Sequence, residues 1–416
     1  MRILINRNFS NLWLSNVMSI LGNRLRELVI PLLVLEMTNS PLAAGLVALS
    51  QQFGTILFSI PVGTWIEDKN KVIVGTITRS LISICIFILA YFIFIDKFDS
   101  LFIPLILFFL GILGLISNTA CNVLIPIIAG RKNLIQAHSS LEGADAIATL
   151  IGPLLGGWLL AKTSPLTAMI ICGIFALLST IFMYVVKYNR EHEVIPTAKR
   201  LDEHQQSSFF TQASQGFVYL YSIPAQIVST ITLCVLSFST VFIVLTLLIH
   251  ANTTLHLGAD RIGILLSCAG IGNIIGVLLF KWIRNPNWLP FLCTLLFASG
   301  AGVLLIMSTD VFWIACLGVL LFDGALSMAF VVQSSVHQAI TPDEVMSRVK
   351  SSTYVIGGIC AMLATFLSGV ISQYTSSTVA LAFGAFVLVL PALYVLTYMK
   401  YSDHMENLHP IYIKER

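Results

Sequence analysis

Charge is what this chain has least of. Asp, Glu, Lys and Arg make up only 10% of its 416 residues, against roughly 25% in ordinary soluble domains, while 57% are hydrophobic and the mean hydropathy is +0.90. That balance excludes a soluble globular chain and points to an integral membrane protein. Other absences narrow the chemistry. No G-x-x-x-x-G-K-[ST] run is present, so nothing marks a cradle for ATP phosphates. A membrane-embedded enzyme has only His138, Glu142 and Asp145 in its favour, without an H-E-x-x-H, a nucleophile elbow or a second histidine. The eight cysteines all lie in apolar runs with no C-x-x-C and no histidine at ligand spacing, and they read as small hydrophobes, neither disulfides nor a metal site. No basic cluster is interleaved with aromatics as a nucleic-acid groove requires. The start, MRILINRNFSNLWLS, has no small-residue cleavage site and reads as retained.

What is present is a series of apolar runs. A span needs about 20 mostly apolar residues, and the runs predict twelve: residues 10–37, 41–66, 72–95, 100–129, 136–161, 165–186, 224–249, 260–283, 288–308, 311–339, 347–373 and 377–399. The longest charged stretch, KYNREHEVIPTAKRLDEHQQ, divides six spans from six. The expected architecture is therefore an all-α integral membrane fold of two six-helix bundles. The first occupies residues 1–187 and the second 223–400, with a linker at 188–222 and a tail at 401–416. Phe210, Ala213, Phe217 and Leu220 fall at helical spacing before span seven and suit either an interfacial amphipathic helix or an extension of that span. With both termini placed in the cytoplasm, 17 of the 23 basic residues fall inside, Lys97, Lys162 and Arg261 fall outside, and Arg24, Arg26 and Arg79 lie within spans. The inside excess sets that orientation.

Two features carry a family resemblance. Pro61-x-Gly63-x-x-x-Glu67 with Asn70-Lys71 resembles the loop signature of the major facilitator superfamily, although Glu67 stands where that family usually has aspartate and Asp68 where it usually has arginine. Gly152-Pro153-x-x-Gly156-Gly157 in span five resembles the helix signature found mainly in exporters of the same superfamily. NRNFSNLWLSNVMSILGNRL, GILLSCAGIGNIIGVLLF and ITPDEVMSRV narrow the likeness to the branch of macrolide efflux proteins and siderophore exporters. The resemblance implies the superfamily fold, cytoplasmic-membrane localisation, and export of an amphiphilic small molecule by alternating access, with uptake or lysophospholipid flipping as alternatives on the same architecture. The expected partners are a small-molecule substrate, protons and the lipid bilayer, with no cofactor and no nucleic acid, and the expected working unit is a monomer. By the same resemblance Gly63, Glu67, Asp68 and Lys71 form a cytoplasmic gate facing Thr341 and Arg348. Thr341-Pro342-Asp343-Glu344 reads as an N-cap, a first-turn proline and a capping-box acid.

A charge inside the bilayer costs about 2.5 kcal/mol or more, so it normally faces a cavity or a partner. In span five His138, Glu142, Asp145, Thr149, Gly152 and Gly156 share one helical face. This predicts a close-packing surface with the two acids at its entrance, either sliding against the opposite half or fixed by ion pairs, and Gly272 and Gly276 in span eight offer a matching small surface. Span one carries Asn16, Ser19, Asn23 and Glu27 on one stripe, with Arg24 three residues from Glu27 and Arg26 directed elsewhere, toward an acid on another helix. Glu27 and Asp323, the only acid of span ten, are the proton-coupling candidates; a permanent Glu27–Arg24 pair and a hydrogen-bonded Asp323 satisfy the same pattern. Arg79 is expected to snorkel to the cytoplasmic edge or to pair with a buried acid, and His337 to face the interface at the end of span ten.

Overall fold

A computed structural model describes residues 6–67, 69–95, 102–130, 133–187, 218–280, 286–409 and 411. The described chain is helical, with no sheet: α1 (Arg7–Thr38), α2 (Pro41–Leu57), α3 (Ser59–Glu67), α4 (Lys71–Phe94), α5 (Phe102–Ala129), α6 (Leu134–Lys162), α7 (Pro165–Tyr184), α8 (Pro224–Thr253), α9 (Ala259–Phe280), α10 (Trp288–Met307), α11 (Phe312–Ile340), α12 (Asp343–Tyr374) and α13 (Ser377–Val395). Ten of these are long and apolar enough to cross a membrane, and Pro41–Leu57 is a shorter apolar helix. The second predicted span is broken at Phe58 into α2 and α3. The charged linker, with Phe210, Ala213 and Phe217, lies outside the described residues; 218–222 is helical, and Leu220 is buried there.

Polar residues at the helix starts fix where each span begins. Asn6, Ser40, Asn70, Ser164 and Ser376 each accept a backbone N–H of the first turn, with Pro41 and Pro165 opening α2 and α7. Each cap satisfies donors that hydrocarbon cannot.

Two compact units result, one of Met1–Ile195 with Ala251–Ser267 and one of Pro196–His250 with Cys268–Arg416. Inside each, glycine lets backbones touch. In the first unit a Cβ on Gly54 or Gly111 would lie closer than 3.0 Å to the Phe108 or Gln51 carbonyl, so α2 and α5 cross with no side chain between them. In the second, Gly272 and Gly276 meet the backbone of Leu320 and Gly324, and Gly302 meets Gly318. These are small-residue crossings of the kind that pack helices where lipid supplies no hydrophobic drive. On α9, Ser267 also donates to the Gly263 carbonyl one turn back, at 2.8 Å.

The thiols meet one another as well. Cys234 lies beside Cys360 and Cys268 beside Cys316, and all eight cysteines are free thiols.

Gly272→Leu is expected to force α9 off α11, at about 1–3 kcal/mol or more from overpacking, and to lower the unfolding temperature of the purified protein. Gly114→Ala, where a Cβ meets nothing within 4 Å, is expected to leave that temperature unchanged or to raise it.

Candidate functional site

The polar centre of the first unit is built on Arg79 of α4. Its Nε donates to Ser117 Oγ at 3.0 Å, Nη1 to Ser179 Oγ at 2.7 Å and to Ser15 Oγ, and Nη2 to Asn16 Oδ1 at 2.6 Å and Cys121 Sγ at 2.9 Å. Ser15 and Ser179 close the cluster reciprocally, each hydroxyl donating to the other's carbonyl at 2.5 and 2.8 Å. One guanidinium thus joins α1, α4, α5 and α7. Arg79 is 2% exposed. It neither snorkels nor meets an acid among the described residues, because neutral acceptors already take its donors.

The other two intramembrane arginines lie on different sides of α1. Arg24 bonds Glu27 at 3.2 Å and both oxygens of Asp145 on α6 at 3.1 Å. The three side chains are 34%, 54% and 42% exposed, so this carboxylate–guanidinium–carboxylate triad is half-open. Arg26 is buried instead, and donates from Nη2 to Asn23 Oδ1 at 3.0 Å. The expected acid on another helix is not there among the described residues. The polar stripe of α1 therefore continues from Asn16, Ser19 and Asn23 to Arg26, while Glu27 turns toward α6.

Along α6 the small residues divide between two neighbours. A Cβ on Gly152 or Gly156 would lie closer than 3.0 Å to the Arg24 or Leu28 side chain of α1, whereas one on Gly157 would strike Ala259 and Gly263 at the start of α9. A Cβ on Gly263 would in turn meet the Pro153 carbonyl. The helix runs unbroken through Pro153. The partner surface on α9 is thus Ala259 and Gly263, not Gly272 and Gly276, which face α11.

In the second unit Asp323 is buried on α11 beside Gly324, the residue that packs on Gly272. Thr341 is not the N-cap of α12: that place falls to Pro342, without a side-chain bond. The Thr341 hydroxyl is already committed, donating to the His337 carbonyl at 2.5 Å and accepting from Gln226 Nε2 at 2.6 Å. His337 Nδ1 lies 3.0 Å from Gln226 Oε1, so Gln226, His337 and Thr341 close a buried ring between α8 and α11, and His337 is not at the interface. Nothing in the sequence marked Gln226. Of the loop signature, Lys71 is buried at the start of α4, where Asn70 caps the helix. Asp68 and the side chains of Gly63, Glu67, His138, Glu142 and Arg348 lie outside the described residues.

Arg79→Met leaves the buried Ser15, Ser117 and Ser179 and the half-buried Asn16 short of a donor, at about 1–3 kcal/mol for each buried group if unrelieved, and is expected to lower the unfolding temperature markedly in detergent. Arg79→Lys is expected to rescue little of it, since an ammonium has three donors and no planar fork.

Comparison with known proteins agrees with this architecture. A bacterial homologue of the iron transporter ferroportin in its inward-facing state has 14% identity, TM-score 0.71, and coverage of 94% of this chain and 98% of its own. The D-xylose–proton symporter has 13% identity, TM-score 0.71, and coverage of 97% and 99%. The nucleoside transporter NupG has 14%, 0.71, 95% and 100%. At such identities the likeness is one of fold, and among curated protein sequences none matches. The family model of the Major Facilitator Superfamily matches residues 12–365, and the chain belongs to that superfamily, as a multi-pass membrane transporter and not an enzyme.

Proposed function

We propose that this transporter is a proton-coupled antiporter that exports an amphiphilic small molecule across the cytoplasmic membrane by alternating access, as a monomer with both termini inside. The observation that carries the reading is Arg24, a half-open guanidinium held by Glu27 of its own helix and by Asp145 of α6. Since α6 is also the helix with the exporter-like Gly152-Pro153-x-x-Gly156-Gly157 run, the triad ties a titratable pair to the helix that has to move. Protonating either carboxylate weakens its hold on Arg24 and lets α1 and α6 shift; deprotonation restores it. Asp323, buried at a glycine crossing on α11, is the second proton carrier. Residues 1–187 and 223–400 serve as the two bundles, joined by the linker at 188–222. The loop around Gly63, Glu67, Asp68 and Lys71 works with Thr341 and Arg348 as the cytoplasmic gate, and Glu142 stands with Asp145 at the entrance of α6. The cargo is a hydrophobic drug of macrolide type or an anionic chelator of siderophore type.

Inverted membrane vesicles containing the protein test this with labelled erythromycin and a catecholate siderophore. A one-unit acid-inside gradient supplies about 1.4 kcal/mol per proton, enough for about tenfold accumulation of one of the two. Glu27→Gln and Asp323→Asn are expected to abolish the gradient dependence; if it persists in both, those acids are not the carriers. Accumulation only under the opposite gradient would instead make the protein a proton symporter for uptake.

A further inference from the structure

We propose that the first unit holds a small monovalent anion in a cavity between α1, α4 and α7, bound by the guanidinium group of Arg26 and attracted by the charge of Arg79. The cavity is lined by Ser19, Gly22, Asn23, Arg79, Cys172 and Ser179, with Ile82, Ile86 and Ala176 as its apolar wall. Arg26 adjoins this lining through Asn23. It bonds the cavity residue Asn23 and has the thiols of Cys172 and Cys85 as electrostatic neighbours.

Charge is the reason to expect a ligand. Two guanidinium groups are buried here, at 4% and 2% exposure, whereas the ion pairs seen on the same helix belong to Arg24, with Glu27 and with Asp145. Glu27 is the acid within electrostatic reach of Arg26. Its carboxylate is engaged by Arg24, on a part of α1 turned about 100° from Arg26. Neutral oxygens and sulfur satisfy the hydrogen bonds of Arg79 but leave its charge uncompensated. Arg26 lacks even that: its Nε and Nη1 are buried with no acceptor, and a buried ionised group without partners is among the most costly arrangements a protein can hold. An anion resting on Arg26 and the Ser19 and Asn23 side chains supplies both the missing acceptor and the missing charge.

Size limits the ligand. The cavity is far smaller than the roughly 300–1,000 Å³ of drug-sized sites. A chloride or bromide ion fits, as does the carboxylate head of a larger molecule whose body lies elsewhere; the shared chemistry is a compact monovalent anion. The site does not depend on the direction of transport.

The full-length protein, purified in detergent with sodium gluconate, is titrated with sodium chloride, bromide or acetate at constant ionic strength while its unfolding temperature is followed. A saturable rise of several degrees with chloride or bromide, lost in Arg26→Gln, is expected. A matching response to acetate assigns the site to carboxylates as well as halides, and a response to acetate alone assigns it to a carboxylate head. No saturable rise with any of the three, or an equal rise in Arg26→Gln, overturns the proposal. Should Arg26→Gln not fold, equilibrium dialysis of the wild type against labelled chloride and labelled acetate decides: one equivalent of either bound supports the site, and none of either refutes it.

Discussion

A guanidinium with no counter-charge among the described residues organises the first unit. In hydrocarbon, Arg79 has to find an acceptor for each of its N–H groups within the protein, and it finds them on three helices besides its own. Ser15, Asn16, Ser117 and Ser179 are unremarkable residues one at a time. Gathered around one cation, they fix the rotation of α1, α5 and α7 relative to α4, because turning any of these helices withdraws an acceptor from a charge that cannot go without it. Apolar contacts alone impose no such register, since lipid and leucine are equivalent surroundings for a leucine.

With that frame fixed, α1 presents two electrostatic faces to different surroundings. Arg24 looks toward α6, where it is partly open and shared by two carboxylates. Arg26, two residues on, looks into the helical core and meets only an amide. The first arrangement suits change, because a half-exposed ion pair is worth little and can be given up at modest cost. The second resists change, because a buried cation cannot be left without solvation.

Hydropathy made the fold legible. Twelve apolar runs, their capping serines and asparagines and the central charged stretch follow from the simple requirement that every span satisfy its backbone internally. The site was legible in part. The face shared by Asp145, Gly152 and Gly156 on α6 could be read from spacing, as could the pairing of Arg24 with Glu27. Periodicity gives a face but not its neighbour, so the division of α6 between α1 and α9 and the true partner of Gly272 were hidden. Adjacent charged residues are harder still: Arg26 and Glu27 differ by one position, and hydrophobicity offers no rule for which of two charges is buried. The Gln226–His337–Thr341 ring was invisible for the same reason as the Arg79 cluster, since Gln226 is an ordinary polar residue more than a hundred positions from the other two.

The two glycine contacts of α9 have a mechanical meaning. Gly263 meets α6 and Gly272 meets α11, and nine residues of helix place them on opposite sides. A rod pressed from opposite sides at two points bends between them. Midway lies Ser267, whose hydroxyl is bonded to the carbonyl of Gly263, a bond that competes with the helical ladder and favours curvature. The two compact units also divide between Ser267 and Cys268. The middle of α9 therefore carries two opposed packing demands at once, met within one uninterrupted helix.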